Sequence, residues 1–564
     1  MWKRNKLNLL TAVLVTGSLL VTACSKSNTG EGSTQSPTPA ATGTASPGPA
    51  TPAKTPFTFT MNTDNPIMNW TSDVAKEITK RTGATIKWDI ITGDFRTKMN
   101  VWLAAGDFPE VVNIHDNTLQ SYIQAKAVID LTDLIKQHAP NIMKAYNNDL
   151  TLLKDKNDGK IYGLLQPPTK KVNDLTKKGW IGIQSAVLKD AGYPAIKTLD
   201  DVRNVVANYM KKYPEIGGGK TIGFSNYGSA NQLFNIFDTA ARSYGGFAST
   251  ASVFVDDQWN ARLRFFEPGY TDFFKFLNKV NGEGLFDPES LVQTPEQFAT
   301  KCNQGRVLAI FGGGGDCNST LEKNNMADRS YVWFDIVAPG KTKYEVKPTG
   351  EANRGGEMWL SITKNAKDPV RIIQFYDDMF KLENQILVGW GFEGKYYKVE
   401  NGKRVVTDWL VDQYKTHPDT FWEDVGLGYA RQMSTNYGAG FTLSDGDFAM
   451  WQFSESWISK TTSPVVVETL SKYGAKTQAD LLVKSIERDY GSTAGKGTDE
   501  MKKFNTEAIA EYGKTLPKFI LEKDASKLDG IWQGLEKTLK EKGLDKYNQA
   551  STEIYQAASK EIKK

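Results

Sequence analysis

The sequence predicts an α/β protein of two bodies with a cleft between them. Patterns of buried strands alternate with amphipathic helix patterns from Phe57 to Ile114, and the alternation returns from Tyr270 to Phe311. Strands that alternate with helices are typical of a parallel sheet covered by helices. The chain has 564 residues, of which 40% are hydrophobic, so more than one domain can bury a complete core.

The first alternation contains three strands and two helices. We predict strands at Phe57–Met61, Thr85–Ile91 and Glu110–Ile114, and helices at Ser72–Thr82 and Phe95–Ala105. Gly83 supplies the stop signal of the first helix. Because ligands of such sheets bind beyond the carboxyl ends of the strands, candidate ligand contacts follow Met61 and Ile114.

The second alternation has the same character. We predict helices at Tyr270–Gly284 and Thr294–Asn303, then a strand at Arg306–Phe311 that ends in the glycine run Gly312–Gly315. No Lys-Ser/Thr pair follows these glycines, which argues against a phosphate loop. The last hundred residues have a charged, helical pattern.

The N-terminus has the pattern of an export signal. Lys3, Arg4 and Lys6 precede an apolar stretch that is too short to span a bilayer, and Val21-Thr22-Ala23-Cys24 follows. We predict that residues 1–23 are a lipoprotein signal peptide and that Cys24 carries the lipid. The alternative is an ordinary signal with a chance cysteine at the cleavage site.

Residues 24–55 are predicted to form a disordered tether behind the lipidated cysteine. From Ser25 to Lys54 the chain has no aromatic residue and no Val, Ile, Leu or Met. Such a segment cannot bury enough apolar surface to offset its ordering entropy. As a flexible coil it would reach roughly 30 Å, so the following domain could stand clear of a membrane.

Two further cysteines, Cys302 and Cys317, flank the strand Arg306–Phe311. A strand of that length separates its ends by roughly 20 Å, so we expect two free thiols unless the chain doubles back. Three cysteines and three histidines form no zinc pattern. Asp155–Gly159 is similar to a calcium loop, but Leu165 stands where the glutamate is needed, and an Asx turn explains it better. We expect no metal and no cofactor.

The charge balance argues against a nucleic-acid partner. The chain has 69 basic and 65 acidic residues. Loss of the signal removes Lys3, Arg4 and Lys6 and leaves 66 basic residues, a net charge near +1. A basic patch of the kind that binds nucleic acid is not indicated by such a balance.

Several short motifs follow one another along the chain: Ala104–Val112 (AAGDFPEVV), Gly159–Leu164 (GKIYGL), Phe276–Asn278, Glu283–Glu289 (EGLFDPE), Gly305–Val307, Gly389–Gly394 (GWGFEG) with Tyr396, and Lys542–Tyr547 (KGLDKY). These motifs resemble extracellular solute-binding proteins of family 1, the oligosaccharide-binding group of ABC importers. Each motif alone is weak, but their order behind a lipobox-like N-terminus is specific. The chain looks most similar to the LplA-like lipoprotein branch.

The resemblance implies a two-lobed periplasmic-binding-protein-like fold of type II, with a ligand cleft between the lobes and a helical C-terminal region. Lobe one would hold 56–168 and about 345–395. Lobe two would hold 169–344 and part of 396–564, with the C-terminal helices. The implied partners are a carbohydrate ligand, the transmembrane subunits of an ABC permease, and the membrane through the lipid anchor. The implied protein is a monomer at the extracellular face of the membrane and not an enzyme.

Candidate ligand contacts follow from position and chemistry. A sugar offers flat C–H faces and hydroxyls, which match aromatic rings and planar polar groups. The candidates are Asp64, Asn65 and Trp70 after the first strand; His115 and Asp116 after the third; Trp180 past the first crossing; Phe311 and Asp316 around the glycine run; Arg354, Glu357 and Trp359 before the returning strand; and Trp390 and Trp451. For each tryptophan the competing interpretation is core packing, and it is favoured for Trp390. Asp116 could instead cap a helix.

Two other functions share these features. An anchored glycoside hydrolase would need two carboxylates across the scissile bond, and acidic residues are plentiful. A surface protein that binds sugar without transport could use the same fold. Which sugar binds, and its length, linkage and charge, are not readable from the sequence.

Overall fold

The fold is described from a computed structural model. It describes residues 55–64, 70–155, 157–165, 167, 174–227, 232–247, 252–312, 317–346, 358–417, 420–427, 440–488, 490 and 497–562. These residues belong to the unit Ala53–Lys564. The predicted signal peptide, Cys24 and nearly all of the tether lie outside the described residues.

The described residues of the first stretch build three strands and five helices. The strands are β1 (Phe57–Thr63), β2 (Ala84–Ile90) and β3 (Val111–His115); the helices are α1 (Asp73–Thr82), α2 (Phe95–Ala105), α3 (Asp116–Gln124), α4 (Thr132–His138) and α5 (Pro140–Ala145). The predicted elements are confirmed to within two residues. The Ser72 hydroxyl caps α1 by accepting from Ala75 N, and Gly83 ends that helix with a left-handed φ of 75°.

The described residues of the second stretch continue with nine strands and six helices. The strands are β4 (Ile181–Gln184), β5 (Glu215–Ile216), β6 (Gly219–Lys220), β7 (Ile222–Ser225), β8 (Val253–Val255), β9 (Ala261–Leu263), β10 (Val307–Phe311), β11 (Tyr331–Phe334) and β12 (Tyr344–Val346). The helices are α6 (Ser185–Asp190), α7 (Leu199–Lys212), α8 (Gln232–Gly245), α9 (Pro268–Gly282), α10 (Pro295–Asn303) and α11 (Asn318–Lys323). Thr294 and Gln297 form a reciprocal capping box that begins α10.

The described residues of the last stretch add four strands and nine helices. The strands are β13 (Met358–Ile362), β14 (Tyr397–Glu400), β15 (Lys403–Val406) and β16 (Ile486–Arg488). The helices are α12 (Pro369–Met379), α13 (Leu382–Trp390), α14 (Asp408–Thr416), α15 (Phe421–Val425), α16 (Glu455–Thr461), α17 (Pro464–Lys472), α18 (Asp499–Leu521), α19 (Leu528–Glu541) and α20 (Leu544–Ile562). The helical C-terminus is as predicted.

Two four-stranded sheets form the centres of two lobes. The first sheet has the order β13-β3-β1-β2, and the second has the order β11-β4-β10-β7. Strand β1 runs parallel to β2 and β3, and β7 runs parallel to β10. Strands β13 and β4 depart from the expected parallel arrangement and pair antiparallel with their neighbours. Each follows a crossing from the other lobe, and it enters its sheet from the opposite end.

Two hydrophobic cores assign the chain to the lobes. One core joins side chains between Phe59 and Leu165 to side chains between Trp359 and Trp457. The other joins side chains between Trp180 and Ala338 to side chains between Val466 and Tyr555. The described part of 396–461 therefore packs with the first lobe, and the three C-terminal helices pack on the second.

Cys302 and Cys317 form a disulfide, and the expectation of two free thiols was wrong. Cys302 lies near the end of α10 and Cys317 directly precedes α11, with 6.0 Å between their Cα atoms. Both cysteines belong to one small apolar cluster with Ile310 of β10. The chain therefore doubles back over one face of the strand, which the distance along the strand alone could not reveal.

Candidate functional site

Besides the passage from Trp457 to Val466, two crossings of the chain join the lobes, and both connect the same edge of each sheet. On the lobe-one side of the first crossing, Leu164 pairs antiparallel with Leu360 of β13 through two backbone hydrogen bonds of 2.8 and 2.9 Å. The chain next enters the second sheet at Trp180, directly before β4. The second crossing leaves β11 and enters β13 at Met358.

Strand register identifies this edge as the carboxyl edge of the parallel strands. In the first sheet Met358 pairs with His115, the last residue of β3. In the second sheet Phe311, the last residue of β10, and Phe334, the last residue of β11, both pair with Ile181. Both crossings thus join the two carboxyl edges, so these edges face each other and form a candidate ligand cleft.

The two crossings are also in contact with each other. Lys177 Nζ lies 3.0 Å from Glu345 Oε2, with the two side chains 48% and 32% exposed. Burial is the largest single influence on the pKa of Glu345 and raises it, but the hydrogen bond and charge of Lys177, with the charge of Lys343, outweigh it and lower the pKa. An ion pair this exposed contributes at most about 1 kcal/mol.

At the lobe-one edge, Asn62 joins the ends of β1 and β3. Its fully buried amide accepts from Asn113 N at 2.7 Å and donates to Asn113 O at 3.2 Å. The backbones of the two strands pair at Met61 and Val111. The side chain therefore takes over where the backbone pairing ends, and it fixes the two strand ends from which Asp64 and His115 follow.

Trp70 precedes α1, but its indole ring lies beside β2 and the last turn of α1, away from this edge. Its indole N–H donates to Thr79 Oγ1 at 2.7 Å, and its ring centroid is 6.2 Å from that of Trp88. Trp70 is half-buried, so part of the ring is open to solvent. The Trp88 indole N–H is buried and has no hydrogen-bond partner among the residues that the structure describes. The exposed Asp64 follows β1 at this edge.

Trp180 and Phe311 lie at the lobe-two edge but are packed into the core. Trp180 is 4% exposed, and its indole N–H donates to Ile336 O at 2.8 Å. Its ring stacks on Phe311 at 6.4 Å and meets Phe273 edge-on at 5.7 Å. In this conformation the two predicted contacts offer a ligand little or no side-chain surface.

The end of β7 carries polar residues that the sequence reasoning missed. The fully buried Asn226 donates from Nδ2 to Phe311 O at 3.1 Å, which ties the ends of β7 and β10 together. Tyr227 follows and is half-buried, with its ring 5.6 Å from Phe298. The sequence signal was Ser225-Asn226-Tyr227-Gly228 after a short apolar run, the same pattern as the Phe311-glycine run.

A buried ionic network supports the end of β7. Asp287 Oδ2 accepts from Ser225 Oγ and from Lys301 Nζ, both at 2.7 Å. Gln293 Nε2 donates to Ser225 Oγ at 3.0 Å and also to Asn226 O. Because these groups are hydrogen-bonded and desolvated, they hold the β7 terminus in one place.

The remaining predicted residues occupy different positions. Trp359 is in β13, one residue from the carboxyl edge, and is 7% exposed. Trp390 is fully buried and donates to Phe448 O at 2.8 Å, and Trp451 is 2% exposed in an aromatic cluster with Trp457. Asn65, Asp316, Arg354 and Glu357 lie outside the described residues, and for His115 and Asp116 only the backbone is described.

For the described residues alone, two features bear on function: metal-ligand groups and membrane-spanning helices. Within these ranges no three His, Cys, Asp or Glu side chains come together as a metal site. Asp155 Oδ1 accepts from Asn157 N at 2.9 Å, which confirms the predicted Asx turn. Over the same part of the chain, no helix combines the length and the apolar character that crossing a bilayer requires.

Two known proteins are similar to this chain in sequence. No family model matches the chain. The fructooligosaccharide ABC transporter substrate-binding protein FusA of Streptococcus pneumoniae is 24% identical over 338 residues, which cover 57% of this chain and 60% of FusA. The polygalacturonan/rhamnogalacturonan-binding protein YtcQ of Bacillus subtilis is 23% identical over 360 residues, 60% of this chain and 67% of YtcQ.

A solved structure extends the match to nearly the whole chain. FusA of S. pneumoniae in complex with kestose covers 90% of this chain and 100% of its own, with a TM-score of 0.62 and 17% identity. The chain is thus similar to substrate-binding proteins of ABC transporters, and its two-lobed α/β fold is the fold of the FusA structure. The sequence alignment with FusA spans less than two thirds of FusA, and the LplA-like branch stays a prediction.

Proposed function

We propose that this solute-binding protein is the extracellular, lipid-anchored substrate-binding component of an ABC importer and that it captures an oligosaccharide. The observation that supports this most is the pair of crossings. They bring the carboxyl edges of both sheets to one cleft, so a single ligand can contact both lobes. The protein delivers the ligand to the transmembrane subunits of the permease and performs no reaction on it.

The chemistry at the two edges suits a carbohydrate. Tyr227 presents a partly open ring on lobe two, and rings of this kind pack against the C–H faces of sugars. Asp64 on lobe one adds a carboxylate for hydroxyl groups. The names of the relatives support the same ligand class, because FusA is a fructooligosaccharide ABC transporter substrate-binding protein and YtcQ a polygalacturonan/rhamnogalacturonan-binding protein.

Capture works by lobe closure. A ligand that contacts both edges binds the closed form more tightly than the open form and shifts the population toward closure. The crossings must bend for this motion. The Lys177–Glu345 pair between them is exposed enough to rearrange at little cost in free energy.

The anchor is proposed from the N-terminus. Cys24 would carry the lipid, and residues 24–55 would let the domain reach a ligand clear of the membrane. Cys24→Ala should release the protein from the membrane fraction into the medium. Recovery of the variant with the membrane in unchanged amount would contradict the anchor without affecting the binding proposal.

The binding experiment uses the chain without its first 24 residues. Thermal shift and calorimetry are run against fructooligosaccharides, oligogalacturonides and a wider oligosaccharide panel. A sugar at a hundred times its dissociation constant should stabilise the folded chain by about 2.7 kcal/mol. Recovery of the sugar unchanged supports capture. Cleavage of the sugar would indicate a hydrolase, and no shift across the panel would contradict carbohydrate binding.

A matched pair of variants locates the site. Tyr227→Ala should weaken binding of the sugar found in the panel by about tenfold or more, because it removes an aromatic contact at the cleft edge. Tyr213→Ala is the control, since Tyr213 is a partly exposed tyrosine of the same lobe beside Asp190. Equal affinities of the two variants would contradict the placement of the ligand at this edge.

A further inference from the structure

Two tryptophans of the first lobe are exposed beyond what packing requires. Trp409 of α14 is 38% exposed and Trp422 of α15 is 39% exposed. Most of the large aromatic residues in this part of the chain are buried, including Trp451 at 2% and Phe421 at 1%. A rigid aromatic ring with an open side is a common element of a recognition surface.

Trp422 is held in place from its inner side. Its ring centroid lies 5.7 Å from that of the buried Trp451 and 5.4 Å from that of Phe421. Trp451 in turn packs edge-on against Trp457 at 4.3 Å. Because its support is fully packed, Trp422 can contact a ligand with little loss of side-chain entropy.

The helix that carries Trp422 ends at the cleft edge of lobe one. Gly426 caps it with a left-handed φ of 63°, and the Gly426 N–H donates to Trp422 O at 3.1 Å. A side chain at position 426 would collide with Ser72, the N-cap of α1. Because α1 begins beyond the carboxyl end of β1, Trp422 is one helical turn from the rim of the cleft.

Trp409 also lies near the start of α1, through its contacts with Tyr396 and Lys395. Its ring meets Tyr396 edge-on at 5.4 Å, and the Tyr396 hydroxyl donates to Val425 O at 3.0 Å. Lys395 Nζ lies 5.1 Å from the Trp409 ring and 3.5 Å from Asp73, the first residue of α1. Two open aromatic rings therefore lie around the start of α1, with an ammonium and a carboxylate group beside them.

We infer that Trp409 and Trp422 form an outer stacking rim for the sugar units of a long oligosaccharide that protrude from the cleft. The inference rests on the proposed function and narrows its ligand to chains longer than the cleft encloses. The rings stack on C–H faces of the protruding units, while Lys395 and Asp73 hydrogen-bond to their hydroxyl groups. The rim belongs to one lobe, so it adds affinity for length without a requirement for closure.

The experiment compares ligand length. Calorimetry measures the shortest and the longest soluble members of the fructooligosaccharide and oligogalacturonide series on the wild type, Trp422→Ala and Trp409→Ala. Covering roughly 55 Å² of one ring should contribute about a tenfold gain in affinity. Each variant should therefore lose about tenfold for the long ligand and less than twofold for the short one. Trp422→Phe should retain most of the affinity, and Val399→Ala, which changes a side chain 50% exposed on the same lobe, should change nothing.

Several results would overturn the rim. An equal loss for short and long ligands would make the tryptophans part of the inner cleft or of the fold. Unchanged affinity for both ligands would exclude sugar contact, and if uptake by cells fell at the same time, the surface would be a permease contact. A wild type that binds no member of either series, nor any sugar of the wider panel, would remove the proposed function itself.

Discussion

Asp238 accepts four hydrogen bonds in the core of the second lobe, and its replacement should be strongly destabilising. Its carboxylate, in a residue 2% exposed, accepts from Arg264 Nε at 2.7 Å and Arg264 Nη2 at 2.8 Å. It also accepts from Arg242 Nε at 2.9 Å and from the Tyr270 hydroxyl at 2.8 Å. The Tyr270 hydroxyl reaches Tyr512 of α18 at 3.1 Å, so one network joins α8, α9 and α18.

The size of the effect follows from burial. Asp238→Ala leaves the Arg264 side chain, which is 4% exposed, charged without its carboxylate. Breaking a buried ion pair from one side costs about 3–5 kcal/mol. Arg242 is 27% exposed and can turn to solvent, so the loss of its ion pair with Asp238 adds less than about 1 kcal/mol. Asp238→Leu with Arg264→Met replaces the pair by apolar side chains and should recover most of the loss.

Guanidinium unfolding followed by circular dichroism measures the change, and hydrogen exchange locates it. Exchange should accelerate in α8, α9 and α18. The control is Asp377→Ala in lobe one, because the Asp377 carboxylate caps α5 by accepting from the backbone N–H groups of Asn141 and Ile142. Its loss should lower the free energy of unfolding by about 1–2 kcal/mol. The control should leave exchange in lobe two unchanged. A loss below about 1 kcal/mol for Asp238→Ala, or a double variant no more stable than it, would refute the reasoning.

Three further predictions concern pH, the disulfide and the cleft edge. Burial first, and the Asp238 carboxylate second, raise the pKa of Tyr270 well above its ordinary value, so the folded chain keeps a proton that the unfolded chain loses. The free energy of unfolding should therefore fall as the pH rises above about 10, and less steeply in Tyr270→Phe; parallel guanidinium titrations of the two proteins with equal slopes would contradict this. Cys302→Ser with Cys317→Ser should lower the free energy of unfolding by about 3 kcal/mol, because the disulfide closes a loop of 15 residues. The same unfolding midpoint with and without the disulfide would argue against this. Asn226→Ala removes the 3.1 Å hydrogen bond to Phe311 O and should weaken sugar binding in calorimetry about tenfold, whereas an unchanged dissociation constant would separate this strand end from the site.

The local structure of the chain was readable from the sequence because it depends on near neighbours. Short apolar strand patterns predicted β1, β2, β3 and β10, and Gly83 predicted the end of α1. The Asx turn at Asp155 also depends on residues within a few positions. The order of such elements, together with short motifs, was enough for the two-lobed fold and its family.

The candidate site was only partly readable, because burial depends on which distant segments meet. Trp180 and Phe311 follow or end strands at the expected edge, but their rings pack on each other and on Phe273. A sequence position gives no information on which side of a strand end the partner helix lies. The same limit hid Asn226, whose role depends on the carbonyl of Phe311, 85 positions away.

The sequence by itself determined the elements, the fold class and the export pattern, which are set by composition, periodicity and short motifs. Only the tertiary structure decided that β13 runs antiparallel to β3, that Cys302 reaches Cys317, and that Gly426 packs on Ser72 beside two open tryptophans. Each of these contacts joins segments whose approach depends on the packing of whole helices on sheets. That packing is a property of the complete core, and no local pattern encodes it.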